Sequence, residues 1–287
     1  MDWLDRMNAM IDYLEKHLQV ESGPLDLTEA AKRTGYSLAH IQRMFPIVAD
    51  ITLSEYIRRR KLTQAALDLS RGEKVLEVAL RYGYESPTAF TRAFTALHGI
   101  APSKAKLPGA KLKSYPRIAF QLSVKGEKEM NYKIEKKTSF RLVGYGEMVS
   151  MENEENFRRI PQIWKEACSG GNLEKMLSLS SEAPPALYGV VSEFTGTKFR
   201  YSVAVRSGQS VPEGLFAIEV PELEWAVFES IGPTPYAIQD VTKRIFSEWF
   251  PSSGYEHADG PELEWYGPGD TQASDYRCEV WIPVRKL

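Results

Sequence analysis

Cysteine is scarce. Cys168 and Cys278 are the only two in 287 residues, so a disulfide framework is excluded, and no CxxC or Cys/His cluster offers zinc-ligand spacing. The four histidines, His17, His40, His98 and His257, are scattered and read as structural or surface residues. No apolar run approaches the roughly 20 residues that span a bilayer. The first residues, MDWLDRMNAMIDYLEKHL, lack the continuous apolar core of a signal peptide. Low-complexity tracts and long single-sign charge blocks are missing too, and a chain that is 43% hydrophobic and 26% charged folds. These absences predict a soluble, reduced, cytoplasmic protein of about two domains, with no membrane partner, metal site or cofactor. A net charge of −2, from 36 basic and 38 acidic residues, argues at first against a polyanionic partner.

The charge is divided unevenly. Residues 1–111 hold 16 Lys/Arg and 13 Asp/Glu, a balance of +3, and the remainder holds 20 and 25, a balance of −5. Arg58, Arg59, Arg60 and Lys61 stand together in the basic part. A run of this kind is a solvated face unless its surroundings aim it at phosphates. The patterning changes as well. Up to about Lys106 apolar residues recur at helical spacing, as Leu4, Met7, Ile11, Leu14 and Leu18 do. Beyond residue 130, alternation takes over in KFRYSVAVR and LEWAVFES. LPGAKLKSYP (107–116) carries boundary punctuation, so domains are expected at 1–107 and 130–287. The junction, 108–129, would hold a strand at IAFQLSV, 118–124.

The helical part repeats itself. LTEAAKRTGYSLAHIQRMF (27–45) matches VLEVALRYGYESPTAFTRAF (75–94), pairing Ala31, Gly35 and Tyr36 with Ala79, Gly83 and Tyr84. Each copy reads as a short helix, a glycine that tolerates positive φ, and a second helix capped by Ser37 or Ser86. Pro87 suits the first position of that second helix. Ile41, Phe45, Phe90 and Phe94 would face a small core. Ala39, His40, Gln42 and Arg43 in one copy, and Thr88, Thr91 and Arg92 in the other, would face outward. Arg and Gln can pair with base edges in the major groove. One copy alone could be an ordinary helical hairpin; two at fixed spacing favour DNA binding. LSEYIRRRKLTQAALDLSRG (53–72) predicts a helical strut between them, about 27 Å long for 18 residues. It would place Arg58, Arg59, Arg60 and Lys61 at phosphates.

Through SLAHIQRMF, the LSEYIRRRKLTQAALDL strut, VLEVALRYGYESPTAFTRAF and HGIAPSKAK, residues 5–106 resemble the AraC/XylS-type DNA-binding domain. The resemblance implies a seven-helix, all-α module whose two helix-turn-helix units enter adjacent major grooves of double-stranded DNA. It gives base-facing roles to Ala39, Gln42, Arg43, Thr88, Thr91 and Arg92. Ala39 is small, so its contact would be a thymine methyl at most.

The C-terminal part repeats at an offset of 85: Phe140, Ile160 and Trp164 match Trp225, Ile245 and Trp249. Further strands are expected at 186–193, 199–206, 215–220, 262–266 and 277–284. Strands with helices on one side predict an α+β domain of two pseudo-symmetric strand-helix-strand repeats, with a groove between the halves. Glu264 and Tyr266 share a strand face, as do Glu279 and Trp281, and an acid beside an aromatic can hold an organic cation. Alternation does not show which face is inside, so solvent-facing glutamates remain the alternative. WAVFESIGPTPYAIQ, SEWFPSSGYEHADGPELEWY and YRCEVWIPV resemble the GyrI-like effector-binding domain, over roughly 130–287. That implies an aromatic, acidic pocket for small amphipathic molecules, with Glu264, Tyr266, Glu279 and Trp281 as candidates and Trp225 and Tyr145 behind them.

The reading is a ligand-responsive transcription regulator, with DNA and a small-molecule effector as partners and RNA polymerase as a further candidate. The alternatives give the C-terminal domain another task. It could hydrolyse reactive small molecules, with a pocket glutamate as general base, or it could bind a protein. No nucleophile–base pair supports an enzyme, and no catalytic residue is assigned.

Overall fold

The computed structural model describes residues 3–121, 129–151, 155–195 and 197–286. The chain divides into two compact units, one of residues 1–41 and 49–121, the other of residues 42–48 and 122–287.

The first unit is helical. In α1 (Trp3–Lys16) the residues Trp3, Met7, Met10, Ile11 and Leu14 form one buried face. α2 (Leu27–Lys32) opens on Asp26, whose carboxylate accepts from the Thr28 and Glu29 amides at 2.8 and 3.2 Å. Gly35, at φ +80°, turns the chain into α3 (Leu38–Ala49). α4 (Leu53–Ser70) has the 18 residues expected of the strut. α5 (Val75–Arg81) ends before Gly83, at φ +77°, and α6 (Pro87–His98) begins on Ser86, whose hydroxyl accepts from the Ala89 amide at 3.1 Å. Pro87 occupies the first turn of α6. A 3-10 turn at Pro102–Lys104 stands where the resemblance implies a seventh helix. Phe90 and Phe94 join Leu62, Ala65, Leu69, Val78, Ala79 and Tyr82 in the core beneath the second helix-turn-helix. Ile41 and Phe45 are likewise fully buried.

The junction differs from expectation. Residues 108–121 form neither helix nor strand, and 122–124 of the expected strand lie outside the described residues. The segment is instead a strap pinned by helix side chains. The Lys113 amide donates to His98 Nδ1 (3.1 Å), that of Tyr115 to Thr63 Oγ1 (3.2 Å) and that of Ile118 to the Tyr56 hydroxyl (3.4 Å). Asn8 closes both sides of Phe120, accepting from its amide and donating to its carbonyl oxygen, each at 2.9 Å. Leu112 and Tyr115 pack on the α4–α6 core. A segment without ladder partners thus satisfies its peptide groups through side chains.

The second unit is a twisted antiparallel sheet with helices on one face. Its strands are β1 (Tyr132–Lys137), β2 (Phe140–Ser150), β3 (Leu187–Thr195), β4 (Lys198–Arg206), β5 (Phe216–Val220), β6 (Leu223–Ile231), β7 (Tyr255–His257), β8 (Glu262–Tyr266) and β9 (Arg277–Lys286). The spatial order is β1-β6-β9-β8-β3-β4-β2-β5, with β7 paired to β9. This order reads the same from either end in terms of the two repeats. One half is β2, α7 (Glu155–Ala167), α8 (Asn172–Ser178), β3 and β4. The other is β6, α9 (Tyr236–Arg244, extended by a π turn Ile245–Trp249), α10 (Phe250–Ser253), β8 and β9. They meet at the β3–β8 pair, Leu187↔Tyr266 to Val191↔Glu262, which realises the expected pseudo-twofold. α7 lies on β2 and β4, and α9 lies on β6 and β9.

Replacing Ser86 by Ala removes the α6 cap and is expected to cost about 1 kcal/mol. Chemical denaturation compared with the parent checks this.

Candidate functional site

On α6 the expected division between faces holds. Thr88 and Arg92 are exposed and Thr91 is half-buried, while Phe90 and Phe94 are fully buried. With Pro87, Thr95 and Ala96 these polar residues line one shallow surface. Arg92 makes no ion pair among the described residues, so its guanidinium is available to a ligand.

α3 differs from its counterpart in exposure. Gln42 and Arg43 are half-buried, and Ala39 and His40 are buried, at 6% and 5% exposure. The His40 ring lies against Tyr36, centroids 4.8 Å apart, and its amide is held by Ser37 Oγ at 3.2 Å.

The basic run on α4 is corrected as well. Arg58 donates to both carboxylate oxygens of Glu55, at 2.8 and 2.9 Å, and Arg59 pairs with the same group while lying 4.8 Å over the Tyr115 ring. Arg60 is buried. Its guanidinium grips Glu15 at 2.9 and 2.7 Å and the Tyr115 carbonyl oxygen at 2.6 Å, joining α1, α4 and the strap. Lys61 is half-buried, and that burial lowers its pKa. The run is largely structural because helical spacing sends four consecutive residues around more than one face. Arg60→Ala strands Glu15 and is expected to cost about 3 kcal/mol in urea unfolding, partly recovered in Glu15→Gln/Arg60→Met.

In the second unit the strand register sorts the candidate pocket residues onto two faces. β8 pairs with β9 as Leu263↔Trp281, Glu264↔Val280, Trp265↔Glu279 and Tyr266↔Cys278. Cross-strand partners share a face, so the two Glu-x-aromatic pairs are out of phase by one residue. Trp281 and Trp225 belong to the apolar cluster with Phe140, Leu142, Tyr188, Ile218 and Leu263 on the face away from α7. Glu279 shares that face and accepts from Trp281 Nε1 at 2.6 Å, and the Lys137 ammonium sits 4.4 Å over the Trp281 ring. These three residues therefore pack the sheet and do not join Glu264.

Glu264 and Tyr266 face α7, and there they join a hydrogen-bonded cluster. The Glu264 Oε2 accepts from the Tyr266 hydroxyl at 3.0 Å and from the Tyr201 hydroxyl at 3.2 Å. Trp164, on α7, donates its indole N–H to the Tyr201 oxygen at 2.7 Å and meets Tyr266 edge-on at 4.8 Å. Gly189, opposite Glu264 on β3, keeps the space open: a Cβ there would lie 2.8 Å from both Glu264 Oε2 and the Tyr201 oxygen. Burial pushes the Glu264 carboxyl above its ordinary range. The same burial, with the Glu264 charge, holds Tyr201 and Tyr266 protonated as donors.

Tyr145 lies on this face but is engaged elsewhere. Its hydroxyl donates to Glu166 at 2.8 Å, and Arg159 bridges Glu166 (2.7 Å) and Glu147, tying α7 to β2. Sequence reasoning missed Tyr201 and Gly189, and it found Trp164 only as a repeat position. The signal for Tyr201 was its place in the alternation of FRYSVAVR.

A raised carboxyl pKa in the folded state means that the charged form is penalised. The penalty is absent below about pH 4 and grows as pH rises through the unfolded and then the folded value. Glu264→Gln is therefore expected to melt higher than the parent at pH 8 and to match it at pH 4.

Paired helix-turn-helix units on a strut, with a duplicated α+β sheet that encloses an acid among aromatics, define a DNA-binding regulator with a small-molecule-binding domain. Residues 30–106 match a helix-turn-helix domain family, and residues 130–285 match the GyrI-like small molecule binding domain family. The chain is 27% identical to the transcriptional regulator Rob of Salmonella typhimurium over the full length of both. It is 36% identical over 102 residues to the multiple antibiotic resistance protein MarA of Escherichia coli, covering 35% of this chain and 78% of that one. The structure of SAV2435 bound to tetraphenylphosphonium shares the fold of the C-terminal unit, with a TM-score of 0.50 and 22% identity over 54% of this chain and 94% of that one. The chain belongs to the AraC/XylS-type transcription regulators that carry a GyrI-like domain, and it is a ligand-responsive regulator of that kind. No helix among the described residues is long and apolar enough to cross a membrane.

Proposed function

We propose that the effector is a small lipophilic cation bound at Glu264, and that DNA is read by Thr88, Thr91 and Arg92 on α6 together with Gln42 and Arg43 on α3. The observation that carries the effector reading is the Glu264 carboxylate set among Tyr201, Tyr266 and Trp164. An enclosed carboxylate with only two hydroxyl donors is under-compensated. A cation of diffuse charge loses little hydration on entry, restores that balance, and gains about 0.5–2 kcal/mol from each aromatic face it meets. SAV2435, which shares the fold, was captured with tetraphenylphosphonium, a cation of this class. In this reading Glu264 binds without turnover. The regulator works in the cytoplasm on double-stranded DNA, in concert with RNA polymerase.

Two experiments test it. Calorimetric titration of the full chain with tetraphenylphosphonium is expected to show binding that drops at least tenfold in Glu264→Gln and weakens as pH falls through the raised Glu264 pKa. Equal affinity in parent and variant refutes the effector site. For DNA, a duplex selected from a random pool by the full chain is expected to bind Arg92→Ala more weakly by about 1–3 kcal/mol. An unchanged affinity and footprint refutes the role of α6.

A further inference from the structure

The strap raises a question that the helix-turn-helix units do not answer. Between Glu85 and Glu127 the sequence has no acidic residue, yet Lys104, Lys106, Lys111, Lys113 and Arg117 fall within it. Counting residues 1–121 rather than 1–111 adds Lys113 and Arg117 and no acid, so the balance rises from +3 to +5.

Lys104, Lys106, Lys111 and Lys113 are all exposed, and none makes an ion pair among the described residues. Arg117 alone pairs, with Asp12. This is the reverse of the α4 run, whose arginines are engaged by Glu55 and Glu15.

A lysine tail on a flexible linker would contact phosphate only by giving up chain entropy. This backbone is already fixed by His98, Thr63, Tyr56 and Asn8, and its first pin is the last residue of α6. Burial lowers the His98 pKa, which keeps the ring neutral and its Nδ1 able to accept from the Lys113 amide. Lys111 and Lys113 are thus carried at the start of a pinned strap, and Lys104 and Lys106 on the turn that joins it to α6.

We propose that the strap, with the 3-10 turn that leads into it from α6, is a third DNA-contacting element: Lys104, Lys106, Lys111 and Lys113 bind backbone phosphates flanking the segment read by α6. The inference rests on the DNA-binding reading. Such contacts carry no sequence information and appear as salt dependence, with a slope of log K against log salt of about 0.9 per phosphate neutralised.

The test measures binding of the full chain to its selected duplex and to a random duplex of equal length, across a salt series. Lys111→Ala/Lys113→Ala and Lys104→Ala/Lys106→Ala are each expected to reduce the slope by about 1–2 and to weaken both duplexes by the same factor. Lys165→Ala/Lys198→Ala, exposed lysines of the other unit, should leave the slope unchanged. Slopes equal to the parent's in both strap variants overturn the inference while leaving the DNA-binding reading intact. An equal fall in the Lys165/Lys198 variant also overturns it, because net charge would then explain the effect. A parent chain that binds neither duplex removes the DNA-binding reading and this inference together. Matching melting temperatures confirm that the substituted chains are folded.

Discussion

A carboxylate enclosed by aromatic rings is the constraint around which the C-terminal unit is arranged. Moving such a group out of water costs several kcal/mol unless hydrogen bonds replace the lost hydration. Two tyrosine hydroxyls do so in part, and each must stay protonated, which the shared burial ensures. The strand opposite can then carry only glycine, since a Cβ at residue 189 would fill the space beside Glu264. The helix above must hold Trp164 in register. Arg159, bridging Glu147 and Glu166, and the Tyr145 hydroxyl do this from the flank. One under-compensated charge therefore dictates residues on three strands and a helix.

Most of the architecture was legible because periodicity is local. The Gly35 and Gly83 turns, the Ser86 cap and the 18-residue strut all follow from residues within a few positions of one another. The sheet repeat was legible from Phe140/Trp225 and Trp164/Trp249. What could not be read was phase. Glu264 and Glu279 stand in adjoining strands with the same local pattern, and a one-residue register difference sends one to the face that carries α7 and the other to the opposite face. No sequence window contains that information, because it is set by how two distant segments align.

The charges make the same point by another route. Composition alone identified the arginine run on α4 as the notable basic feature, although helical geometry turns Arg60 inward and places Glu55 within reach of Arg58 and Arg59. The strap carries its lysines one or two at a time between Pro, Gly and Ala and looked like a linker. Its availability comes from what is missing around it: no carboxylate is near in sequence, and its backbone is occupied with helix side chains. Charge density along a sequence and charge presented to solvent are separate quantities here.

The palindromic strand order bears on how the Glu264 cluster is assembled. Glu264 and Tyr266 come from the second half of the sheet, whereas Gly189, Tyr201 and Trp164 come from the first. Neither half alone assembles the acid with its enclosing rings. The seam between the two repeats at β3 and β8 brings these residues together, with the acid on one side of it. The cluster is thus a property of broken symmetry: in two identical halves, every group at the seam would face its own twin.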